Sequence, residues 1–112
     1  MPVYKPLKHE ELHRELKAGI RPLNELHTLR VSQLAYDLLD GFDAFVKRFT
    51  KADFSALVRR YESERILLAA LRFKLLRSPE IGPFLIKLAQ IDPQLSANAL
   101  NLMAKHILEK YR

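Results

Sequence analysis

Apolar residues recur at three- and four-residue steps along almost the whole chain, and prolines punctuate the pattern. Val31, Ala35, Leu38, Phe42, Phe45 and Phe49 form the most regular line. Such a line places one apolar stripe on an α-helix and calls for a partner to cover it. Pro6, Pro22, Pro79, Pro83 and Pro93 each stand at the front of a periodic stretch. Proline suits a first helical turn, where its missing N–H costs nothing, and damages a helix interior. The pattern predicts an all-α protein: a compact bundle of about five helices.

Residues 1–5 read as a basic, extended N-terminal tail. A first helix is expected over about 6–18, with Leu12, Leu16 and Ile20 as a thin apolar line and Gly19 as its stop. The second runs from Pro22 to about Phe49. Asp40-Gly41 is a turn signal, yet the period passes straight through it, which favours an unbroken helix over a kink. Thr50-Lys51-Ala52-Asp53 has capping-box spacing, with Asp where Glu or Gln is usual. It opens a third helix to about Arg77, with Phe54, Leu57, Val58, Tyr61, Leu68, Leu71 and Leu75 towards the core. These two long helices, the second and third, are expected to pair antiparallel. Ser78-Pro79-Glu80 restarts the chain, and Gly82-Pro83 follows so closely that a turn should precede a short helix over 83–91. Asp92-Pro93 caps the last helix, which turns Leu95, Leu100, Met103, Ala104, Ile107 and Tyr111 inward. Nothing divides residues 6–112, so they read as a single helical domain.

Composition narrows the class. A hydrophobic share of 48% against 29% charged residues in 112 describes a folded domain with one core. The absence of cysteine removes disulfides, thiol nucleophiles and thiolate metal sites, and fits a reducing cytoplasm. The first residues lack the apolar core of a signal peptide, and the apolar run 66–76 is broken by Arg72 and Lys74, too short for a bilayer. A cytoplasmic protein with no membrane partner is the expectation.

Charge adds a direction. Lys and Arg number 19 against 13 Asp and Glu, a net +6, which favours an anionic partner, whether nucleic acid, an acidic protein or an anionic membrane face, without choosing among them. Residues 50–77 hold seven cations against three carboxylates, so +4 of the net charge belongs to the predicted third helix. On a continuous helix Arg59, Lys74 and Arg77, with Arg60 nearby, form a stripe away from the core, of the kind that tracks phosphates. It is equally the pattern of a solvated face. Arg65 and Arg72 instead point with Phe54, Tyr61 and Leu68. A guanidinium there needs a partner, and an internal salt bridge, to Glu64 or a carboxylate of the second helix, is favoured over an interface. The phenylalanines are expected mostly in the core and there is no Trp, so nucleic-acid contact would be backbone-directed with little sequence preference.

Catalytic chemistry finds one candidate. His9-Glu10-Glu11-Leu12-His13 matches H-E-x-x-H, in which two imidazoles four apart hold zinc and the glutamate acts as base. A third ligand is missing: Leu16 and Gly19 stand where one zinc-protease extension needs Gly and His, and neither Glu25 nor His27 lies in a second motif. Asp37, Asp40 and Asp43 lie opposite the apolar line, with too few oxygens for a hard cation. No metal, cofactor or enzymatic activity is expected. The leading expectation is a non-catalytic nucleic-acid-associated protein, or a small helical subunit of a nucleoprotein complex, using Arg59, Arg60, Arg65, Arg72, Lys74 and Arg77 of the third helix, and the basic N-terminal tail, on phosphates. The alternative is a protein–protein adaptor or homodimer with an acidic partner; a zinc-dependent hydrolase is a distant third.

Overall fold

The computed structural model describes Arg14 and residues 25–112, with side chains from Arg30 onward in that stretch. The predicted tail, the H-E-x-x-H motif and the predicted first helix, apart from helical Arg14, lie outside the described residues. Five helices run through the rest: α1 (Glu25–Arg48), α2 (Lys51–Arg60), α3 (Glu64–Arg77), α4 (Gly82–Ile91) and α5 (Pro93–Tyr111). No strand occurs among the described residues, and no helix there is long and apolar enough to cross a membrane.

Helix α1 continues through Asp40-Gly41, and the predicted line Val31, Ala35, Leu38, Phe42, Phe45 and Phe49 is buried along its whole length. Gly41 serves close approach rather than a turn. A β-carbon there would lie 2.5 Å from the carbonyl oxygen of Glu80, so the α3–α4 turn rests directly on the α1 backbone. Thr50 and Asp53 cap α2 reciprocally: the Asp53 N–H donates to Thr50 Oγ1 at 3.2 Å, and the Thr50 N–H to Asp53 Oδ2 at 2.8 Å. Residues 79–81 form the expected turn before α4, and Asp92 accepts from the Gln94 N–H at 3.0 Å to start α5.

The expected third helix is two helices. Its first part stops at Arg60, where extended Tyr61 still donates its N–H to the Leu57 carbonyl. Ser63 then caps α3 by accepting from the Ile66 N–H at 3.2 Å, and Glu64 supplies a first-turn carboxylate. The expected antiparallel pairing of the two long helices is accordingly absent as the organising contact. Helix α1 packs its backbone closest to α4, while α5 packs on both α3 and α4. The break frees α3 from the line of α2, and α3 buries Leu67, Leu71 and Leu75 against the bundle. Val58, expected in the core, is exposed on α2.

Side chains close the bundle at two points. The buried Ser96 hydroxyl donates to the Leu85 carbonyl at 3.0 Å, tying α5 to α4. Tyr111 at the end of α5 stacks against Phe54 and lies beside Phe49, both at 5.5 Å between ring centres. Its hydroxyl donates to the Phe49 carbonyl at 2.5 Å.

Candidate interaction surface

Helix α3 is apolar on two sides. Leu67, Leu71 and Leu75, at steps of four, fill the inner side. At about 100° per residue, Ile66, Ala69, Phe73 and Leu76 fall together on the opposite side. They face solvent: Ile66 is 51% exposed, Phe73 58% and Leu76 44%. Exposed apolar residues scattered singly need no explanation, whereas a line of them on one helix face marks a contact surface.

Arginines border this line. By rotation, Arg65 and Arg72 lie along one edge and Arg77 along the other. The Arg77 guanidinium sits 4.6 Å from the centre of the Phe73 ring, a cation–π arrangement that holds charge and ring together. Arg65 is exposed. Arg72 is half-buried, and its Nε is shut off from solvent without a hydrogen-bond partner among the described residues.

The internal salt bridge expected for these two arginines is not formed: neither pairs with a described carboxylate. Glu64, the proposed partner, instead meets Arg112, Oε1 to Nη2, at 2.6 Å. The reason is the break at residues 61–63. It releases Arg65 and Arg72 from the phase of Phe54 and Tyr61 and leaves them at the rim of the outer face.

The same break divides the predicted basic stripe. Arg59 and Arg60 are exposed at the end of α2, Arg59 Nε donating to the Ser55 carbonyl at 3.5 Å and Arg60 lying 5.7 Å from the Tyr61 ring. Lys74 turns inward to the α1–α2 corner, 4.7 Å from the Phe49 ring centre and 3.8 Å from Asp53 Oδ1. Only Arg65, Arg72 and Arg77 share α3's outer side. The exposed apolar line was missed by the periodicity. Its signal was the pair of runs Ile66-Leu67-Leu68-Ala69-Ala70-Leu71 and Phe73-Lys74-Leu75-Leu76, too many apolar residues for one helix face to bury.

Polar groups elsewhere are structural. The Ser78 hydroxyl donates to Glu80 Oε2 at 2.6 Å and accepts from the Glu80 N–H, while Arg48 of α1 pairs with the same carboxylate. The Ser78 hydroxyl bond, ahead of Arg48, holds the Glu80 carboxyl below the usual range. The Thr50 N–H does the same for Asp53, helped by the Thr50 hydroxyl and Lys74. Asp37 accepts from Gln33 Nε2 on the outer side of α1. A groove of about 410 Å³ between α1 and α4 is lined by Arg30, Gln33, Leu34, Lys87, Gln90 and Ile91, a set without a nucleophile–base pair. Among the described residues no three His, Asp or Glu converge as metal ligands. Set against protein-family models, characterised proteins and solved structures, the chain matches none.

Proposed function

We propose that this chain is a non-catalytic interaction module that docks a protein partner on the outer face of α3. The observation that carries this reading is the exposed line Ile66, Phe73 and Leu76 between arginine edges. Phe and Arg around a desolvated centre is the composition of protein-interface hot spots. A phosphate backbone offers nothing apolar to such a centre, so the charge alone does not specify nucleic acid.

Nucleic-acid association is the second reading, favoured by the Phe73–Arg77 pair as a stacking platform and by the exposed cations Arg59, Arg60 and Arg65. Photo-crosslinking groups placed at 66, 73 and 76, with exposed position 97 on α5 as control, distinguish the two in the native cell. Adducts of one defined protein from α3 and none from position 97 support the module. Nucleic-acid adducts support the second reading. Adducts spread equally over both helices overturn the assignment of α3.

A further inference from the structure

Resting on the reading of α3 as a docking face, we infer that its occupant is an acidic amphipathic helix: a partner segment with a narrow apolar line and carboxylates along both edges. Shape sets the first half of this assignment. The line from Ile66 to Leu76 is a ridge along one helix, about 15 Å long. A second helix laid along the ridge covers it by ridges-into-grooves packing and meets three or four apolar residues at helical spacing.

Charge sets the second half. Both edges of the ridge carry arginine, Arg65 and Arg72 on one and Arg77 on the other. The carboxylates near it, Glu62 and Glu64, stand at its N-terminal end, and Glu64 is engaged by Arg112. Arg72 is the sharpest pointer. Its guanidinium is partly withdrawn from water and meets no anion among the described residues. A partner carboxylate supplies the charge-assisted bond it lacks. A second copy of this chain is a poor occupant for the same reason. Any face-to-face pairing of two α3 ridges sets arginine edges against arginine edges, and like charges select against that partner.

The test offers the full chain as bait to a displayed library of peptides about 15 residues long, enough to span the ridge with a turn to spare. Enriched peptides are expected to repeat apolar residues at three- and four-residue steps, with Asp or Glu beside them. Their binding should fall by at least about thirtyfold in Phe73→Ser. It should fall by about tenfold in the double variant Arg65→Gln, Arg72→Gln, and weaken as salt rises. Circular dichroism establishes that both variants keep the wild-type fold. Peptides that require Phe73 but show no acidic bias overturn the acidic occupant and leave α3 as a docking face. Enrichment indifferent to Phe73→Ser, or no enrichment, overturns both. Phe73-dependent binding to anionic vesicles or single-stranded RNA tighter than to the best peptide defeats the inference, as does a dimer in sedimentation that Phe73→Ser dissolves.

Discussion

The carbonyl oxygen of Glu80 occupies the space into which a side chain on Gly41 would grow. The nearest ring atom of Phe84 stands only 3.2 Å from the same point. Mid-helix Gly→Ala ordinarily stabilises by roughly 1 kcal/mol. Here the added methyl meets backbone, which does not swing aside, so overpacking decides the sign. Gly41→Ala should lose about 1–3 kcal/mol, read as a lower urea midpoint with an unchanged slope. A gain in stability would mean that the α3–α4 turn does not rest on α1.

Tyr111→Phe keeps the ring stack with Phe54 and deletes one donor to the Phe49 carbonyl. The substitution should cost about 1 kcal/mol in the same measurement. An unchanged midpoint would show that water serves that carbonyl as well.

Ser63→Ala tests the break between α2 and α3. Loss of the cap to the Ile66 N–H should cost about 1 kcal/mol, and Ser63→Gly markedly less. Equal effects from both substitutions would place the start of α3 elsewhere.

This break shows where sequence legibility ended. The line Val31–Phe49, the Thr50–Asp53 cap and the Asp92-Pro93 start were readable because each is local: a repeat, or a side chain reaching its own backbone two or three residues on. The interruption at Tyr61-Glu62-Ser63 was hidden because it contains neither proline nor glycine, and apolar residues recur at three- and four-residue steps on both sides of it. The cations of α3 were visible as a charged cluster, but their grouping was not. Lys74 faces Phe49 and Asp53 only because the break lets α3 reorient, whereas Arg77 meets Phe73 as residues four apart on one helix do. Nor does periodicity decide which of two apolar sides a helix buries. That choice belongs to α5, which covers Leu67, Leu71 and Leu75 and leaves Phe73 in water.

Arg72→Met should leave stability unchanged or raise it. The enclosed Nε has no acceptor among the described residues, and removing a partly desolvated charge while keeping the stem volume relieves its desolvation. A loss of about 3–5 kcal/mol would reveal a carboxylate partner. Phe73→Ser, half in solvent, should shift stability by no more than about 0.5 kcal/mol.

Acid should destabilise the fold through Glu80 and Asp53. Both carboxyls titrate lower in the folded chain than in the unfolded one. The unfolded state therefore takes up protons first, and the stability these groups give above the ordinary carboxylate range, near about 4, is lost as pH falls through it and below. Ser78→Ala removes the largest cause of the Glu80 shift, so its urea midpoint should fall less steeply with acid than that of wild type. Parallel acid limbs would assign the effect to other groups.

The exposed ridge of α3 also sets how crowded this protein can become. Arginines on both edges keep neighbouring copies apart only while their fields reach across the gap, about 10 Å at 0.1 M salt and about 3 Å at 1 M. Once screened, the oily strip is left without its spacer. Solubility should therefore drop as salt is added, the reverse of ordinary salting-in, and Phe73→Ser should flatten that dependence.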